Sequence, residues 1–148
     1  MANICSFSMC VKGEHTNIEK FHDALTQASK EIWMGRGADA DIIYEDEEHI
    51  AYIDGICKWS VNAALILDAM SMKKQKNGGE REWCDIDDVK DFVTIFEACE
   101  KFHVNMEVFS EETDLGFEEY LRYVDGEIIN ETGSYGDFSW EFNLPDVA

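Results

Sequence analysis

The side chains most able to do chemistry in this chain are its carboxylates. Residues 110–129, SEETDLGFEEYLRYVDGEII, carry Glu111, Glu112, Asp114, Glu118, Glu119, Asp125 and Glu127 against Arg122 alone. A second run, Glu45, Asp46, Glu47 and Glu48, is uninterrupted. Carboxylates at i and i+2 of a strand share a face about 6.6 Å apart, because the rise is about 3.3 Å per residue. Two nucleotide steps along a DNA strand advance about 6.8 Å. Pairs such as Glu45/Glu47, Asp46/Glu48 and Asp125/Glu127 are therefore expected to imitate phosphate spacing. From Asn105 to Ala148 twelve acids stand against Arg122, a net charge of −11. All the acids of these two stretches named above are expected to form a partner-binding surface.

Other chemistry is less well supported. A pair of carboxylates can serve as acid and base, but with 32 acidic residues no pair singles itself out. No nucleophile elbow, P-loop or dinucleotide-binding glycine pattern is present. Asp39-x-Asp41 and Asp85-x-Asp87-Asp88 open like calcium loops. The fifth and sixth positions are then Ile43 and Tyr44, or Val89 and Lys90, where an oxygen ligand and a glycine are needed. His15, His22, His49 and His103 are scattered without zinc spacing. Cys99 and His103 stand at i and i+4, on one helix face. Burial habits favour an inert cysteine there over a nucleophile. Trp59 and Trp83 read more simply as packing residues than as partner anchors. No catalytic residue, metal site or cofactor is expected.

The elements that must position these groups belong to a chain of 148 residues, the length of one domain. Hydrophobic residues make up 45%, enough for a sizeable core and against general disorder. With 32 acids and 12 bases the net charge is −20. Small soluble domains usually carry a net charge of magnitude about 2–8. Such an excess repels nucleic acid and anionic membranes, and attracts basic proteins, polyamines or metal ions. Five cysteines without a C-x-x-C pair fit a reduced, cytoplasmic setting. The opening MANICSFSMCVKG lacks the basic and apolar regions of a signal peptide, and no apolar stretch is long enough to cross a membrane as a helix.

Cys5, Phe7, Met9 and Val11 alternate with smaller residues and predict a first strand ending at Gly13. Thr16 and Glu19 fit a capping box, followed by an apolar face through Ile18, Phe21, Leu25 and Ile32, which predicts a helix over 17–34. Strands are predicted near 40–45 and 49–57, with the 45–48 acids as their turn. Ser60 is placed to cap a short helix over 61–72, and residues 73–82 read as a mobile loop. A second strong helix is expected over 85–102, with Asp85, Asp87 and Asp88 at the positive end of its dipole. A strand then covers VNMEVFSEE, and Asp125-Gly126 between two β-rich runs signals a hairpin. The order β-α-β-β-α-α-β-β-β implies one α+β domain over 1–148, an antiparallel sheet with helices packed on one face.

Three stretches carry a family resemblance. MANICSFSMCVKGEHTNIEKF is similar to the opening of YubB-type ferredoxin-like proteins of plasmids and phages, with Ile4 where those have an aromatic residue. GICKWS, with Lys58, Trp59 and Ser60, resembles their Lys/Arg-Trp-Ser segment. FSEETDLGFEEYLRYVDGEII resembles their Ser-Glu-Glu stretch and following hairpin, with Asp114-Leu115-Gly116 in place of a common Glu-Pro-Gly. The resemblance implies a ferredoxin-like α+β fold and a mobile-element origin. It implies no settled activity, since fold does not supply function.

An acidic, foldable protein of such origin is expected to act by binding. Its carboxylates would meet the Lys and Arg of a groove that otherwise holds phosphates. The expected partner is the basic groove of a host defence protein such as a CRISPR effector nuclease, inhibited in an anti-CRISPR-like, DNA-mimic-like manner. The alternatives are a small-ligand or regulatory binding module without catalytic activity, and a hydrolase using paired carboxylates and a divalent ion.

Overall fold

The computed structural model describes residues 4–26, 38–45, 49–58, 60–62, 64–65 and 94–148. In chain order the elements are β1 (Ile4–Lys12), α1 (His15–Thr26), β2 (Asp39–Tyr44), β3 (Ile50–Lys58), α2 (Ile95–Phe102), β4 (Asn105–Glu112), β5 (Phe117–Val124) and β6 (Glu127–Ser134). The six strands form one open sheet in the order β2-β3-β1-β4-β5-β6. Every neighbouring pair is antiparallel.

Alternation decides which residues of each strand meet the helices. In β1 the odd residues Cys5, Phe7, Met9 and Val11 enter the core. They join Ile53 and Cys57 of β3, Met106 and Val108 of β4, and Leu121 of β5. Against this face lie Ile18, Phe21 and Leu25 of α1, and Ile95, Ala98 and Cys99 of α2. Burying one such large side chain contributes about 1.5–3 kcal/mol. Gly55 lets β2 come close to β3, since a Cβ there would lie 2.6 Å from the Cβ of Ala40. The expected α+β class and antiparallel sheet are observed, and among the described residues α1 and α2 pack on one face. The sheet is larger than the four strands of a βαββαβ unit, because β5 and β6 extend it beyond β4.

The helices start elsewhere than the sequence suggests. Ile18 N donates to Glu14 O, so α1 begins before Thr16 and the expected Thr16–Glu19 box does not form. Glu19 instead meets His15 Nε2 at 2.8 Å. The capping box is at the start of α2, where Thr94 Oγ1 accepts from Glu97 N and Glu97 accepts from Thr94 N. Thr94 is extended (φ −72°, ψ 162°), so one continuous helix over 85–102 is not formed. Residues 27–34, 66–72, 73–82 and 85–93 of the expected helices and loop lie outside the described residues. The Asp125-Gly126 turn is as expected: φ is +48° at Asp125 and +96° at Gly126, the sign pair of a type I′ hairpin.

The second face of the sheet is half covered by the chain's last residues. Residues 137–148 run without regular structure, and their aromatic rings lie over β3, β4 and β5. Trp140 stacks on Phe109 at 5.8 Å. Phe142 lies 5.6 Å from Phe109 and 6.0 Å from Tyr52, and Phe138 is 6.0 Å from Tyr120. This segment is called the strap below.

Candidate functional site

The acids of residues 110–129 divide into two populations. Glu112, Glu118 and Glu119 are buried, with relative exposures of 0%, 4% and 1%. Glu107 joins them at 2%. A buried carboxylate is tolerated only where donors replace its water, and each of these four has them.

Glu119 faces the helices from β5. Its Oε1 accepts from Ser110 Oγ at 2.7 Å and from Val61 N at 2.8 Å. Its Oε2 accepts from Asn62 N at 3.0 Å and Asn62 Nδ2 at 2.6 Å. It thus clasps the first turn of the helical segment beginning at Ser60, where Ala64 N donates to Ser60 O. Free N–H groups and the helix dipole at such a terminus favour a carboxylate. Asn62 also exchanges amide hydrogen bonds with Asn130 of β6, at 3.1 and 2.6 Å.

Glu112 closes the β4–β5 turn by accepting from Asp114 N and Leu115 N at 3.0 and 2.6 Å. Glu118 and Glu107 hold the strap. Glu118 accepts from Gly136 N (3.0 Å), Phe138 N (3.4 Å) and Trp140 Nε1 (3.1 Å). Glu107 accepts from Asn143 N at 2.7 Å and from the Tyr120 hydroxyl. Arg122 Nε stands 4.0 Å from Glu107 Oε2. Burial, then the Glu107 hydrogen bond, raises the Tyr120 hydroxyl well above its ordinary value. Asn105 Nδ2 donates to Pro145 O and Asp146 O at 3.1 Å each, and Asp125 Oδ1 accepts from Ala148 N at 3.0 Å.

The expected surface is therefore corrected. Glu112, Glu118 and Glu119 are committed to internal donors and are not presented to a partner. Asp125 sits in the hairpin turn, so Asp125/Glu127 is not a strand pair at phosphate-like spacing. Asp114 and Glu127 are exposed, and Glu111 is half-buried opposite Glu118. Glu45 is exposed at the end of β2, whereas Asp46, Glu47 and Glu48 lie outside the described residues.

An acidic surface that the sequence does not single out lies on the part of the second face left open by the strap. Asp39, Asp41 and Asp54 are exposed there, with Asp41 directly opposite Asp54. Glu45 N donates to Ile50 O, which fixes the hydrogen-bonding phase of β2 and β3. Asp41 and Asp54 are by that phase a hydrogen-bonded pair, with Cα atoms about 5.5 Å apart. Ile43 (65% exposed) and Ile56 are interleaved with these acids. Like charges directly opposed across strands are destabilising.

The remaining candidates are placed as follows. Cys99 is fully buried, and burial holds its thiol well above its ordinary value. His103 is the left-handed C-cap of α2 (φ 54°), so no activated Cys–His pair forms. Burial pushes the Cys10 thiol up to about 11. Cys57 is raised first by its hydrogen bond with Cys5 and then by burial. A hollow of about 530 Å³ at one end of the sheet is lined by Lys12, Glu14, His49, His103 and Asp146 among others. Lys12 Nζ meets Asp146 Oδ1 at 3.6 Å on its rim. No protein-family model matches the chain, and no curated protein and no solved structure matches it.

Proposed function

We propose that this protein works by binding: an acidic protein of a mobile element that occupies the basic nucleic-acid groove of a host defence protein, such as a CRISPR effector nuclease, as a DNA mimic does. The observation that carries it is the exposed Asp39, Asp41 and Asp54 group on the open sheet face, with the like-charged pair Asp41 and Asp54 in register. Three carboxylates on adjacent positions cost stability in the free chain, and Lys or Arg side chains of a partner would relieve that cost. The net charge of −20 adds long-range attraction to any basic groove. The strand order β2-β3-β1-β4 supports a ferredoxin-like core carrying β5 and β6 as an extension.

The test is capture of CRISPR effector nucleases from a bacterial lysate and with purified protein, with DNA as competitor. Binding displaced by DNA, and weakened by the double change Asp41→Asn and Asp54→Asn, is expected. No capture of any nucleic-acid-binding protein at low ionic strength sinks the proposal.

The hollow beside Lys12, His49 and His103 favours a second reading, a small-ligand module. Inorganic phosphate raising the melting temperature, with the rise lost in His103→Gln, would support it. No shift with phosphate or small carboxylates would remove it.

A further inference from the structure

The outer edge of β6, free of other strands among the described residues, offers a second, different surface. β6 is the last strand of the sheet among the described residues, and residues 127–132 are exposed throughout. Tyr135 N donates to Gly116 O, and these two residues stand opposite each other when the β5–β6 register is continued by one pair. The phase of the ladder follows. Glu127, Ile129, Glu131 and Gly133 turn their backbone groups toward β5, while Ile128, Asn130, Thr132 and Ser134 turn theirs outward. Ser134 N agrees, since it donates to Asp137 Oδ2. Among the described residues no hydrogen bond reaches the outward backbone groups of Ile128, Asn130 or Thr132. The opposite edge differs: Ala40 O of β2 is met by His22 Nε2 at 2.9 Å, so α1 blunts it.

An edge of this length, unblocked among the described residues, is a template for one more strand. We infer that β6 accepts an extended basic segment of a partner protein as a seventh strand. The side chains set its chemistry. Glu127, Ile129 and Glu131 share the face away from the helices, at i, i+2 and i+4. An added strand places its own alternate residues opposite them, so Lys or Arg, then an apolar residue, then Lys or Arg is the complementary pattern. Ile128 (54% exposed) and Ile129 (38%) supply apolar contact on the two faces. A second copy of this chain is the wrong occupant, because its own Glu127 and Glu131 would approach the same carboxylates.

This rests on the reading of the chain as a binder of basic partners, and its test separates the two. The probes are a short fluorescent peptide containing Lys-Thr-Val-Thr-Lys, the same residues scrambled, and the Glu-Thr-Val-Thr-Glu version, followed by anisotropy. Thr132→Pro removes an outward N–H while leaving the β5 ladder intact, a place where edge strands tolerate proline. It is expected to weaken the Lys peptide about fivefold or more, the weight of a lost backbone hydrogen bond with local misfit. Thr132→Val should bind as wild type, and Glu127→Gln with Glu131→Gln should lose the preference for Lys over Glu. Equal binding of ordered and scrambled peptides, or a Thr132→Pro variant that is folded by circular dichroism and binds unchanged, overturns the inference. So does self-association through β6, seen as dimers that Thr132→Pro abolishes. Asp41→Asn with Asp54→Asn should leave peptide binding unchanged. Peptide binding without nuclease capture would therefore sink the groove proposal alone, and nuclease capture unaffected by Thr132→Pro and the absence of peptide binding would sink this one alone.

Discussion

Replacing Glu119 by alanine removes one acceptor group from five donors at once, the weak Cys5 thiol at 3.9 Å among them. Ser110 can turn its hydroxyl elsewhere, and the Asn62 amide keeps its exchange with Asn130. The backbone N–H groups of Val61 and Asn62 have no such recourse, since the carboxylate is their partner at 2.8 and 3.0 Å. Stranding a buried donor costs about 1–3 kcal/mol, so two cost roughly 3 kcal/mol after partial access of water. Glu119→Gln keeps one oxygen but turns an amide NH₂ toward donors, and roughly half that loss is expected. With a urea slope of about 2 kcal/mol/M for a chain of this size, the midpoint of Glu119→Ala should fall by about 1.5 M. Glu127→Ala, an exposed acid of the same stretch, should stay within about 0.5 kcal/mol of wild type. Equilibrium urea unfolding followed by far-ultraviolet circular dichroism reads both. If Glu119→Ala and Glu127→Ala unfold at the same midpoint, the buried clasp is not a source of stability and the division of the acids into two populations is wrong.

Glu118→Ala should release the strap near Trp140 without unfolding the sheet, seen as faster amide exchange at Gly136 and Phe138. Stability should fall as pH rises above about 9. Cys10 and Tyr120 hold their protons more tightly folded than unfolded, so their contribution is complete below the unfolded values and is lost above them. The Cys10 part should level off beyond about 11, and Tyr120→Phe should flatten the steeper part above pH 10 in alkaline denaturation. Gly126→Ala forces a side chain into φ +96° and should cost about 1–2 kcal/mol in thermal unfolding, whereas Asp125→Asn should be tolerated. Asp41→Asn alone should raise stability by a few tenths to 1 kcal/mol while weakening partner capture, since it removes a like-charge contact with Asp54.

The sheet's backbone was legible wherever alternation met a turn signal. Cys5, Phe7, Met9 and Val11 mark the core face of β1, and Asp125-Gly126 marks the β5–β6 turn. The start of α2 was less legible, because the box Thr94–Glu97 lies inside an apolar run that reads as one long helix. The strap did carry a signal. Phe138, Trp140, Phe142 and Leu144 alternate with exposed residues, as a segment with one covered side must. The fate of the acids was not legible. Glu118 and Glu127 look alike in sequence, and only donors far along the chain, such as Trp140 Nε1, set Glu118 apart. The donors of Glu119 are equally remote, lying at Val61 and Asn62. Asp41 and Asp54 could be joined only by the β2–β3 register, which depends on the turn between them.

The strap is gripped largely by its main chain. Glu107, Glu118 and Asn105 of the sheet and Asp125 of the β5–β6 turn reach amides and carbonyls at Asn143, Phe138, Ala148, Pro145 and Asp146, and at Gly136 just before the strap. Main-chain groups are the same whatever residue bears them. One side of this seam is therefore blind to sequence and the other is not. Asn143 and Ala148 can drift freely through substitution while their anchors persist, provided the rings at 138, 140 and 142 stay aromatic. The four side chains beneath it have far less freedom, for a change that removes the contacting acceptor or donor of any one strands a polar group of the strap, and Asp125→Asn, which keeps Oδ1, is not such a change. Descendants of this chain are expected to vary along the strap's exposed positions and to hold constant beneath it.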